Sequence, residues 1–136
     1  MKQELEKLDA VLAAHKPEEP LHREALRVRA FTLARIGRHR DALREAAGYI
    51  QLTGSPAPGL LLFCAQQKIA IGDLEGALSD ANKALGASGD AREDLAACFQ
   101  FRARVLRRLG KDQAADADTE QARRLSICLL YTSRCV

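Results

Sequence analysis

Three glycines set the register of this chain. Gly37, Gly72 and Gly110 each follow a large apolar residue, namely Ile36, Ile71 and Leu109. Seven residues before each glycine stands an alanine (Ala30, Ala65, Ala103), and five residues after it stands another (Ala42, Ala77, Ala115). Glycine accepts the left-handed backbone that ends a helix without a Cβ penalty. A helix ending there and a second returning along it would bring the flanking alanines together, and small side chains let the two backbones approach. The stretch 65–85 shows the unit best: after Gly72-Asp73, the residues Ala77, Leu78, Ala81, Ala84 and Leu85 recur at helical spacing. The glycines are 35 residues apart (37 to 72) and then 38 (72 to 110). Such periods, with two helices per unit, point to a helical solenoid.

The small–Gly–small pattern in three copies resembles the tetratricopeptide repeat, over about Leu21 to Leu125. Leu26, Leu61 and Phe99 match the early large apolar position, and Ala84 and Ala122 the late alanine of the second helix. Tyr49 replaces that alanine in the first repeat, and Ala46, Ala81 and Thr119 stand where the family usually has an aromatic. The resemblance implies an all-α fold, with an N-terminal helix and three antiparallel helix pairs stacked as a short right-handed superhelix. It also implies a non-catalytic scaffold, adaptor or chaperone-like, that binds a protein or peptide.

Composition agrees with close helix packing rather than a sheet, since the 136 residues include 24 alanines, six aromatics and no tryptophan. A chain of this length is one domain, or a piece of one, and can bury a continuous core. A net charge of +3 is too mild to argue for nucleic acid. No run approaches the apolar length of a membrane span, and the N-terminus lacks a signal-peptide core, so the expected compartment is the cytoplasm.

The chain divides into a capping helix or half repeat at 1–19, helix pairs at 20–54, 55–89 and 90–126, and a tail at 127–136. Residues 2–16 carry Leu5, Leu8, Val11 and Leu12 on one face. Helix A of the first pair is expected from Pro20 to Ile36, and helix B from His39 to Leu52. In the second pair, Ser55 is an expected N-cap before Pro56, and the run Gly86-Ala87-Ser88-Gly89 an expected break. Asp90 and Glu93 read as a capping box opening the next helix, which runs to Leu109. The last helix, Asp112 to Ser126, is acidic at its start and basic at its end, complementing the helix dipole. The string Cys128–Val136 resembles translated sequencing-adapter read-through, and the native protein is expected to continue differently past residue 126. The alternative is a native, partly apolar extension covering the last helix pair.

No catalytic chemistry is expected. His15, His22 and His39 are scattered near helix ends, no cysteine spacing suits a metal, and no phosphate-binding or nucleophile motif is present. No cofactor is implied. Cys64 and Cys98 read as buried small hydrophobes. In pentatricopeptide RNA binders the base-reading positions favour small polar residues, whereas Arg27, Leu62 and Gln100 stand there, against such a code. A chaperone-type carboxylate clamp would need Lys, Asn, Asn, Lys and Arg where Arg27, Phe31, Phe63, Ala97 and Phe101 stand; only Arg27 keeps the chemistry.

The resemblance places a concave groove along the A helices. Its lining would be Arg27, Phe31, Ala34 and Arg35, then Leu62, Gln66 and Ile69, then Gln100, Arg104, Arg107 and, at the edge, Arg108. An apolar centre flanked by arginines suits an acidic segment with apolar anchors. The alternatives are a structural piece of a larger solenoid and an RNA-binding helical repeat.

Overall fold

The computed structural model describes residues 2–54 and 56–130, and side-chain surroundings as far as Ile127. Ser55 and the tail beyond Leu130 lie outside the described residues, and with them the expected serine cap and most of the adapter-like string. Seven helices and no strand are found among the described residues: α1 (Lys2–Ala14), α2 (Pro20–Arg35), α3 (His39–Thr53), α4 (Pro58–Ala70), α5 (Leu74–Ser88), α6 (Arg92–Arg108) and α7 (Asp112–Leu130). They form two compact units, Met1–Pro56 and Ala57–Val136. In the first, α2 packs on α1 and on α3. In the second, consecutive helices pack in order and α4 also touches α6.

The three turn glycines end helix A in one and the same way. Gly72 takes φ +86°, its N–H donates to Ile69 O at 3.0 Å, and Asp73 N–H donates to Lys68 O at 2.8 Å. This is a Schellman ending, which satisfies carbonyls that the helix itself leaves without partners. The same pair of bonds recurs at Gly37 (to Ala34 and, from Arg38, to Leu33) and at Gly110 (to Arg107 and, from Lys111, to Leu106). Asp73 then caps α5, its carboxylate accepting from Gly76 N–H at 2.9 Å. A side chain at Gly76 would run into that carboxylate, since an added Cβ would meet it at 2.2 Å.

All the flanking alanines are buried: Ala30, Ala65 and Ala103 before the glycines, Ala42, Ala77 and Ala115 after them. Ala65 and Ala77 share one core cluster with Ala81, Phe101 and Val105. A second cluster joins Leu61, Ala84 and Cys98, and a third joins Ala103, Leu106 and Ala115.

Several boundaries differ from the sequence expectation. The N-cap of α6 is Ala91, with no side-chain cap bond, so Asp90 stands one residue too early to close a capping box with Glu93. α5 runs through Gly86 and Ala87 and stops only at Gly89. There the Ser88 hydroxyl donates to Ala84 O at 2.7 Å and lies 3.5 Å from Cys98 Sγ, so tertiary burial holds the last turn despite the glycine. α4 begins at Pro58 with Ala57 as N-cap, two residues later than expected, with proline where a missing N–H costs nothing. α7 continues four residues beyond Ser126, to Leu130.

Candidate functional site

The expected groove residues fall on exposed or half-buried rows of the A helices. In the second unit, Gln100, Arg104 and Arg107 are exposed along α6, with Ala97 and Arg108 beside them. Arg104 lies over the Phe101 ring, 5.7 Å from its centroid. Gln66 is exposed on α4, whereas Leu62 and Ile69 are half-buried against the cluster that holds Phe101 and Val105. The two leucine- and isoleucine-bearing turns of α4 therefore help fasten α4 to α6 and present only part of their surface. Arg107 Nη2 donates to Asp116 at 2.7 Å in an exposed pair.

In the first unit, Arg27 and Phe31 are half-buried on α2, with Ala34, and Arg35 is exposed. Arg27 donates from Nε and Nη2 to Glu24 at 3.1 and 2.5 Å, and its guanidinium lies 5.5 Å from the Phe31 centroid. That bond holds the Glu24 carboxyl below the usual carboxylate range and the Arg27 guanidinium above its own. Tyr49, which replaces the late alanine, lines a depression of about 200 Å³ with Pro20, Arg23, Glu24 and Thr53.

A row that the sequence reading missed lies eight residues after each turn glycine, where Glu45, Asp80 and Asp118 all stand. Each pairs with a cation from its own helix A. Arg102 binds the buried Asp118 with two bonds, 2.6 and 2.7 Å, and also donates to Asn82 at 3.1 Å. Asp118 holds the Arg102 guanidinium above its ordinary value, with burial opposing. Arg29, the counterpart of Arg102 eight residues before its glycine, lies 3.5 Å from Glu45 and 2.5 Å from Asp9. The middle repeat carries Cys64 at that place instead, and Lys68, one turn later, reaches Asp80 at 2.8 Å. Its approach is off the hydrogen-bond direction, so Asp80 Oδ2 is ion-paired without a hydrogen bond. Three acids in one register were visible in the sequence, but an alignment built on small and apolar positions passes over them.

These acids, Asp80 and Asp118 buried and Glu45 half-buried, are structural, and so are the thiols. Cys64 and Cys98 are buried and free. Burial, and after it the Asp80 carboxylate, pushes the Cys64 thiol from 9.0 up to about 11. The folded state keeps a proton that the unfolded chain sheds first, so the Cys64 contribution to stability is complete below pH 9 and is lost as pH rises through about 11. Urea midpoints on either side of that window should fall less for Cys64→Ala than for the parent chain. An equal fall would mean that this thiol is not responsible.

Among the described residues no three His, Cys, Asp or Glu side chains converge as a metal site, and no helix is long and apolar enough to cross a membrane. His15 Nδ1 lies 2.6 Å from Glu19, and His22 Nδ1 3.0 Å from His15 O, so both imidazoles serve the α1–α2 junction.

Helix pairs closed by identical glycine turns, with buried alanines in register, define an all-α helical-repeat protein. Among solved structures three chains match, one of them the crystal structure of MamA, with a TM-score of 0.73 and 16% identity. The match covers 89% of this chain and 66% of the MamA chain, so this chain spans just under two thirds of that one. The likeness supports a tetratricopeptide-like fold. No family model and no curated protein matches the chain.

Proposed function

We propose that the protein is a non-catalytic scaffold that binds a protein or peptide segment, and that the A-helix rows carry the binding. The supporting observation is the surface of the second unit, where three exposed arginines of α6 (Arg104, Arg107, Arg108) stand beside half-buried Leu62 and Ile69 of α4. Apolar side chains that are only partly covered can anchor leucine-like residues of a partner. Guanidinium groups at the rim bind carboxylates with directed, charge-assisted bonds. An acidic segment with apolar anchors answers both features. On the first unit, Arg27, Phe31 and Arg35 offer the same combination of cation and apolar surface on α2.

Binding of a fluorescein-labelled acidic peptide with two leucine anchors, followed by anisotropy, tests this reading. Arg104→Glu with Arg107→Glu should weaken binding at least tenfold, equivalent to about 1.4 kcal/mol. Stability should change by no more than about 1 kcal/mol, because Arg104 is exposed and the Arg107–Asp116 pair is solvated. Unchanged binding, or loss of the fold, would remove the α6 row from the site.

A further inference from the structure

The first unit contains a groove that the second unit fills with a helix. The groove, about 230 Å³, lies between α1 and α2 and is lined by Glu4, Lys7, Leu8, Val28 and Thr32. Val28 and Thr32 stand nine and five residues before Gly37; Phe101 and Val105 stand nine and five before Gly110. The helix α1 can be placed on the same footing. Arg29 and Arg102, both eight before their glycines, reach Asp9 on α1 and Asn82 on α5 respectively. Aligning Asp9 with Asn82 sets Leu8 on Ala81, Lys7 on Asp80 and Glu4 on Ala77.

The five lining residues thus correspond to Ala77, Asp80, Ala81, Phe101 and Val105. Four of these five make up a core cluster of the second unit, and the remaining member of that cluster is Ala65 of α4. The helix α4 lies on α5 and α6 there, leaving Phe101 only 4% and Val105 0% exposed. In the first unit Thr32, the counterpart of Val105, is also buried at 3%, but Val28, the counterpart of Phe101, is 37% exposed. Leu21, two turns earlier on α2 and outside the groove lining, is 59% exposed.

We propose that the α1–α2 groove is a docking site for one amphipathic helix of a partner protein, lying there as α4 lies on α5 and α6. Two features of the partner follow from the residue correspondence. Its large apolar residues should be seven apart, as Leu62 and Ile69 are in α4, to cover Leu8 and Val28. Its charges should differ from those of α4. Where Asp80 takes Lys68, the groove offers Lys7, so the partner carries an acid at the place of Lys68. Where Ala77 meets Ala65, the groove offers Glu4, so the partner carries a base at the place of Ala65. The recognition is helix-in-groove, with apolar anchors giving affinity and the two rim charges fixing register. This site is separate from the arginine row of α6 and does not depend on it.

The test uses the full chain and a stapled helical peptide copying residues 58–70 with Cys64→Ala, Ala65→Lys and Lys68→Glu. It should bind at least threefold tighter than the same peptide with Ala65 and Lys68 retained. Lys7→Glu should reverse that preference. Val28→Glu, at a position already part-exposed, should weaken binding tenfold or more, while Arg104→Glu with Arg107→Glu should leave it unchanged. Sedimentation velocity on the chain alone accompanies the titrations. No binding, equal binding by Val28→Glu, or a self-association that Val28→Glu abolishes would each overturn the proposal, the last by making a second copy the occupant.

Discussion

Replacing Asp118 with alanine should lower the stability of the protein by about 2–3 kcal/mol. Removing one partner of a buried pair typically costs about 3–5 kcal/mol, because a charge is left without its counter-ion. The figure is set lower here because Arg102 keeps 27% of its side chain in contact with solvent and can rehydrate in part. Asp118 itself accepts two bonds at 2.6 and 2.7 Å and is almost fully buried. Pairing Asp118→Ala with Arg102→Met should recover part of the loss, since no buried charge is then left without its counter-ion. Denaturant midpoints of the two variants decide the matter. A loss below about 0.5 kcal/mol for Asp118→Ala would mean that the pair behaves as an ordinary surface bridge.

The second large effect is steric. Ala65 and Ala77 are both 0% exposed and share their cluster with Ala81, Phe101 and Val105. A leucine at either position has no free volume to enter, and overpacking of this kind costs about 1–3 kcal/mol. Full burial at both positions puts the expectation near the upper end, about 3 kcal/mol. The matched control is Ala114→Leu on the exposed side of α7, which should be close to neutral. Unchanged midpoints for Ala65→Leu and Ala77→Leu would mean that α4 and α5 do not meet at their alanines.

The contrast between these two predictions shows what the sequence made legible. The alanine contacts follow from local geometry. A glycine at a left-handed helix end, with small residues at fixed distances on either side, determines which faces meet before any long-range contact is known. The ion pairs were present in the sequence too, as three acids in one register, two of them buried. Their partners come from different positions, eight residues before the glycine for Arg29 and Arg102 but four before it for Lys68, so no single spacing reveals them. Two helix ends differ from the sequence expectation. Asp90 has the right chemistry, but the helix begins one residue later than a capping box requires. Ser88 sits in a glycine-rich run yet stays helical because its hydroxyl is buried against Cys98. At Ser88 the tertiary neighbour outweighs the local signal. The candidate site was legible only as a row of positions. That Leu62 and Ile69 lean into the Phe101–Val105 cluster depends on how α4 meets α6, and periodicity within one helix cannot convey it.

The same dependence makes ion-pair chemistry a poor guide to the partner-binding surface. Arg102 belongs to the packing, Arg107 to an exposed pair with Asp116, and Arg104 to a stack over Phe101, although all three read alike as basic residues of one helix. Only the last two are placed to meet a partner without dismantling the fold.

Chemical-shift mapping of the full chain, titrated with the acidic, leucine-anchored peptide, tests the scaffold reading most directly. The account predicts saturable shifts confined, in the second unit, to Leu62, Gln66 and Ile69 of α4 and to Gln100, Arg104 and Arg107 of α6. Shifts centred instead on the exposed sides of α5 and α7, or none at peptide concentrations that saturate the anisotropy signal, would contradict it.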